Sequence, residues 1–364
     1  MAVIQRRKIR ILIVDDSAIV RKLLAETLSG ESDIEVVGTA PDPYIARDKI
    51  LSLAPDVLTL DIEMPRMDGV TFLRKLMIYR PMPVIVISSL AQVSCQAGIE
   101  ALRAGAVEVM AKPGGPYSVG ELKLTLANKI RAAAASRVGK SAGLSVAQAD
   151  TRPPGPIGCA AGSLAVIAMG ASTGGTEAIE NILTRLPPDS PGIVIAQHIP
   201  AGFSRAFAER LNKFCPVRVA EASDGEPVRP GVALIAPGDY HMILRRSGSG
   251  YHVSVKDGPM VCYQRPSVDV LFSSVAESAA GNAVGVILTG MGADGARGLL
   301  KMKSAGAVTI AQNEETCVVF GMPKEAIRLG AADRILPLSL IPNAVCGHFE
   351  QRSRDSKKPV GTTP

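Results

Sequence analysis

Between residues 8 and 134, five short apolar runs alternate with five stretches of helical periodicity. The runs are 9–15 (IRILIVD), 34–40 (IEVVGTA), 56–62 (DVLTLDI), 83–89 (PVIVISS) and 106–113 (AVEVMAKP). Intervening segments such as SAIVRKLLAETLSG and DGVTFLRKLMIYR space their apolar residues three and four apart, and GELKLTLANKIRAAAAS closes the series. Strict alternation forces a parallel sheet, because each helix carries the chain back to the edge where the next strand must start. Functional residues then gather beyond the carboxyl ends of the strands. A second unit, 163–349, restarts the pattern with LAVIAMG, ASTGG and TEAIENILTRLPP, and an antiparallel stretch is expected around 232–256. The expected fold is α/β throughout: a five-stranded parallel doubly wound domain at 1–134, then a Rossmann-like α/β domain at 163–349.

Residues 135–162 (SRVGKSAGLSVAQADTRPPGPIGCAAG and its flanks) lack periodicity and are rich in Ala, Gly, Ser and Pro, the composition of a flexible linker. The polar tail 350–364 is expected to be disordered. The net charge of +6 is spread along the chain, and there is no Trp and only 4% aromatic residues, so neither a DNA-reading face nor a base-stacking platform is indicated. Six cysteines form no CxxC pair, the apolar runs are strand-length, and MAVIQRRKIRILIVDDS lacks the apolar core of an export signal. Reduced thiols, a cytoplasmic location and no membrane insertion are expected.

The first domain ends its strands in chemistry. Asp15 and Asp16 follow the first run, Asp61 ends the third, Ser88 the fourth, and Lys112 precedes Pro113 at the end of the fifth. Carboxylates gathered at one edge repel unless a cation joins them, and Mg²⁺ on oxygen ligands suits such a pocket. An aspartate can also take a phosphoryl group as an acyl phosphate. These positions resemble the receiver domain of two-component response regulators. The resemblance implies that Asp61 accepts phosphate from a histidine kinase, with Asp15 and Asp16 as the acid pair. It makes Ser88 the switch hydroxyl and Lys112 the phosphate-sensing lysine, with Mg²⁺ held through Asp16, Asp61 and Glu63. The Lys112–Pro113 bond is a candidate for the cis form. An aromatic switch residue is missing from VEVMAK.

The glycine-rich loop of the second domain, GASTGGTEA, has no Lys-Ser/Thr pair for a nucleotide phosphate and no second glycine for a dinucleotide fingerprint. It carries Ser172 at a strand end instead. His198 ends the next apolar run, and Asp294 follows a third, in LTGMGADGA. Ser, His and Asp beyond three strand ends can converge as nucleophile, base and orienting carboxylate. Each could also be ordinary: a helix cap, a strand-end histidine, a turn aspartate. A ligand-holding loop in a receiver-controlled binding or transcriptional output module is the alternative.

The segments GASTGG, QHIPAGFSRAFAERL, APGDYHM, RPSVDVLFSSVA, GVILTGMGADGA and AQNEETCVVFGMPKEAI resemble the chemotaxis protein-glutamate methylesterase family, and with the receiver the likeness covers nearly the whole chain. It implies a phosphorylation-activated hydrolase with Ser172 as nucleophile, His198 as base and Asp294 as its partner. Its substrates would be glutamate methyl esters and glutamine amides on the cytoplasmic helices of chemoreceptors. Thr173 and Met291 are candidate oxyanion donors, and no metal is expected at this second site. His241 is assigned a structural or rim position, and RPSVD a place in packing or along the substrate groove.

Overall fold

The computed structural model describes residues 7–112, 119–136, 159 and 164–355. The chain forms two compact units, Met1–Ala147 and Gln148–Pro364. No described helix is long and apolar enough to cross a membrane.

In the first unit, β1 (Ile9–Val14), β2 (Ile34–Ala40), β3 (Val57–Asp61), β4 (Val84–Ser88) and β5 (Glu108–Ala111) form one sheet, ordered β2-β1-β3-β4-β5 with every pairing parallel. The connecting helices are α1 (Ala18–Leu28), α2 (Pro43–Leu53), α3 (Gly69–Tyr79) and α4 (Gln92–Arg103), and α5 (Val119–Ala135) follows β5. Sequence fixes their starts. Ser17, Asp42 and Asp68 each cap a helix by accepting a backbone N–H in the first turn. β3 and β4 are buried at every position, as central strands covered on both faces must be.

The second unit has a seven-stranded sheet. Its strands are β6 (Val166–Ala171), β7 (Gly192–Gln197), β8 (Arg218–Glu221), β10 (Val232–Ile235), β13 (Ala283–Ile287), β14 (Val308–Gln312) and β15 (Arg334–Leu336), ordered β15-β14-β13-β6-β7-β10-β8 and parallel throughout. A small antiparallel sheet joins β9 (Pro227–Val228), β11 (His241–Ser247) and β12 (Gly250–Lys256). The expected antiparallel stretch therefore begins at His241, not at 232. Val232–Ile235 is too deeply buried to leave the main sheet, and its three inner residues have no exposure. Helices α6 (Gly175–Leu183), α7 (Phe203–Leu211), α8 (Val268–Ala279), α9 (Ala296–Ser304), α10 (Met322–Arg328) and α11 (Ile341–Asp355) complete the unit.

Helix α11 also corrects the expected disorder of the tail, at least to Asp355. Ile341, Val345, Cys346 and Phe349 at helical spacing are buried and hold its first turns, and the helix continues through the polar residues. Residues 356–364, most of 135–162, and Pro113 with its peptide bond lie outside the described residues. Cys159, alone of the expected linker's second half, is described, and it is fully buried. The cis peptide among the described residues is Arg265–Pro266.

Candidate active sites

In the first unit the carboxyl edge of the sheet brings Asp15, Asp16 and Asp61 together, with carboxylate oxygens within 4.8 Å of one another. Lys112, just past β5, donates from Nζ to Asp61 Oδ2 at 2.7 Å. It also forms an ion pair with Asp15 Oδ2 at 3.6 Å, and that buried oxygen has no hydrogen-bond partner. Burial outweighs the Lys112 contact at Asp61, and with the nearby Asp15 charge the Asp61 carboxyl is pushed up to about 6. Burial raises Asp15 as well, against the Ser17 N–H and Lys112. Anionic charge is concentrated here faster than the protein neutralises it.

Ser88 and Glu63 make their side-chain hydrogen bonds to other groups. Ser88 is buried and its hydroxyl donates to the Ser94 carbonyl at 3.4 Å. Glu63, expected among the metal ligands, sends its carboxylate to the hydroxyls of Ser89 and Ser94 instead. The reason is local: Glu63 lies in the loop past β3, where the hydroxyls at the start of α4 are the nearest donors. The three side-chain carboxylates that converge are those of Asp15, Asp16 and Asp61. Ser89 and Ser94 were not singled out by sequence, because a hydroxyl carries no periodic signal.

In the second unit, β13, β6 and β7 are adjacent, and Ala171 of β6 pairs with Gln197 of β7. Ser172 and His198 are therefore the next residues on neighbouring strands, about 4.8 Å apart at the backbone. The His198 N–H donates to the Ala171 carbonyl at 3.1 Å, and Gln197 Nε2 donates to the Ser172 carbonyl at 2.9 Å. The loop after β13 closes on the same spot. Ser172 N–H donates to the Thr289 carbonyl at 3.0 Å. A Cβ on Gly290 would lie 2.6 Å from Ser172 Cβ, so only glycine permits this approach.

Asp294 reaches His198 from that loop. His198 Nε2 lies 2.8 Å from Asp294 Oδ2, and both residues are almost fully buried. An ionised carboxylate only accepts, so Nε2 carries the proton. Nδ1 is buried without a partner and is the basic nitrogen. Asp294 also accepts from Val268 N–H at 2.7 Å, Asp269 N–H at 3.0 Å and the Ser267 hydroxyl at 2.8 Å. Burial would raise its carboxyl, but His198 and these N–H donors outweigh it and hold Asp294 below the usual carboxylate range. Ser172 is 7% exposed, and no hydrogen bond joins it to His198 among the described residues; such contacts commonly tighten with substrate bound. Thr173 is buried beside it and Met291 is 37% exposed on the adjoining loop.

The RPSVD segment packs, as one of its two expected places had it: Pro266, Ser267 and Val268 are buried. It is the N-terminus of α8, aimed at Asp294. A serine ahead of an apolar helical run is a cap signal, legible in sequence, but its second contact to a residue far along the chain is not.

The comparisons with known proteins agree across both units. Residues 167–345 match the family model described as CheB methylesterase, and residues 11–121 match the response regulator receiver domain. A protein-glutamate methylesterase/protein-glutamine glutaminase of Syntrophus aciditrophicus is 59% identical over 93% of this chain and 98% of its own length. The chain belongs to the CheB methylesterase family. A second member, from Salmonella typhimurium, carries the same printed name and is 54% identical over 92% of this chain and 95% of its own. The crystal structure of the Thermotoga maritima CheB methylesterase catalytic domain superposes with a TM-score of 0.50 at 39% identity, covering 52% of this chain and all of that one. The family is thus one that joins a receiver to a hydrolase, which removes the transcriptional and ligand-holding alternative.

Proposed function

We propose that the chain is a protein-glutamate methylesterase and protein-glutamine glutaminase of chemotaxis signalling, working through Ser172, His198 and Asp294. The observation that carries this reading is the buried His198–Asp294 pair at the strand end beside Ser172. Ser172 Oγ attacks the side-chain ester carbon of a methylated receptor glutamate, and His198 Nδ1 takes its proton. The imidazolium, held at Nε2 by Asp294, then protonates the leaving methoxide to methanol. Water, deprotonated at the same nitrogen, releases the glutamate carboxylate and restores Ser172. With glutamine the leaving group is ammonia. Backbone N–H groups at Thr173 and Met291 are the proposed oxyanion donors.

The receiver unit supplies control. Asp61 is the proposed acceptor of a phosphoryl group from a histidine kinase, and Lys112 compensates its charge. The donor set of Asp15, Asp16 and Asp61, with one buried oxygen lacking a hydrogen bond, fits Mg²⁺, which would neutralise phosphate charge when bound. The esterase site needs no metal in this mechanism. The substrate lies on cytoplasmic helices of chemoreceptors, and the protein works in the cytoplasm, binding neither nucleic acid nor the bilayer interior. The proposed division of the chain is receiver 1–134, linker 135–162, esterase 163–349 and tail. Methanol release from methylated receptor, measured with and without a small-molecule phosphodonor, tests the reading. Stimulated release in the wild type and none from Ser172→Ala is expected; release from Ser172→Ala overturns it.

A further inference from the structure

The catalytic aspartate of the proposed triad is held by a second tier of buried groups. Ser267 is 1% exposed and caps α8, accepting from the Val270 N–H at 3.3 Å while its hydroxyl donates to Asp294 Oδ1 at 2.8 Å. Its own N–H donates to His241 Nδ1 at 3.2 Å. That assigns the His241 proton to Nε2, which donates to the Pro259 carbonyl at 3.0 Å. His241 is itself 5% exposed. A continuous chain runs from Pro259 through His241 and Ser267 to Asp294 and His198.

The packing beneath it is specific. A Cβ on Gly170, in β6, would lie 2.1 Å from Val268 Cγ1. The bare glycine lets the first turn of α8 settle over the strand that presents Ser172. One residue earlier, Ser267 is thereby delivered to Asp294. A helix N-terminus also favours a carboxylate, since its free N–H groups and dipole face the charge.

We infer that Ser267 and His241 are positioning residues for the esterase reaction: they fix Asp294, and through it the tautomer and angle of His198. The inference rests on the triad reading above. The Ser267 hydroxyl withdraws charge from Asp294, so its loss leaves a carboxylate that binds the protonated imidazole more strongly. The acid limb of the rate profile then moves up. Other ionisable groups near Asp294 are the Asp269 carboxylate and Cys262 thiol, whose ligand atoms lie within 4.8 Å of it, and Arg297, which acts on both. These are unchanged in the variants below.

The experiment uses the full chain and two readouts across pH: methanol release from methylated receptor, and the rate at which a fluorophosphonate probe labels Ser172. For Ser267→Ala, kcat should fall about tenfold with KM unchanged, as for loss of one hydrogen bond to a charged group. The acid limb of both readouts should rise by roughly half a pH unit, a shift that loss of a helix cap alone does not cause. Ser267→Thr, which keeps the hydroxyl, should restore rate and limb, and His241→Ala should show a smaller fall in kcat. A Ser267→Ala rate that drops only in proportion to its folded fraction, with the limb unmoved, overturns the positioning role and leaves the triad standing. Failure of the wild type to label at Ser172 overturns both.

Discussion

The two candidate sites share one geometry and differ in how they treat charge. Each lies beyond the carboxyl ends of a parallel sheet and each centres on a buried aspartate. Asp61 shares its pocket with two further carboxylates against one ammonium, and its carboxyl is pushed up to about 6. Asp294 accepts four hydrogen bonds, three from one helix start, and is held below the ordinary range. The group proposed to receive a cation and a phosphoryl group is left under-compensated. The group proposed to orient a base is hydrogen-bonded from four donors. The fold supplies the edge, and the loops decide which use it serves.

The largest expected effect breaks the esterase side alone. Ser172→Ala and His198→Ala should each lower methanol release by roughly 10⁴-fold or more, and Asp294→Asn by less than either. Receiver phosphorylation, followed with a radiolabelled phosphodonor, should be untouched in all three. Loss of phosphorylation in these variants would contradict the separation of the two sites.

Next comes the response to phosphate. Asp61→Asn should keep basal methanol release and lose its stimulation by phosphodonor. Chelation of divalent ions should reproduce that result in the wild type, because the esterase side carries no metal requirement in the proposed mechanism. Basal release that vanishes with chelator would sink that half of the comparison.

The smallest effect concerns stability. Asp61 has a folded value of about 6 against 3.8 for the free carboxyl, so the folded state favours its protonated form. That contribution is present below 3.8 and is lost as pH rises through about 6. At pH 7.5 without Mg²⁺, Asp61→Asn should therefore stabilise the first unit by on the order of 2 kcal/mol. The gain should shrink towards zero at pH 4 and also on adding Mg²⁺. Calorimetry of the full chain at the two pH values reads it. A variant less stable than wild type at pH 7.5 would mean that the Lys112 contact, not burial, governs Asp61.

Much was legible in the chain itself. The five alternating runs of the first unit fixed a parallel sheet, because strand length, helical spacing and cap residues such as Asp42 and Asp68 are all local signals. Ser172, His198 and Asp294 stood out for the same reason: each follows an apolar run, and parallel strands end at one edge. What decided the rest was contact between residues distant in sequence. Glu63 turned to the hydroxyls of Ser89 and Ser94, a choice set by where α4 begins. The path of 232–235 into the main sheet depended on β7 and β8 being free to flank it. The hold of Ser267 on Asp294 needed Gly170 beneath Val268, almost a hundred residues earlier in the chain. Periodicity records which face of an element is buried, but not what it meets there, because the partner arrives only when the sheet closes.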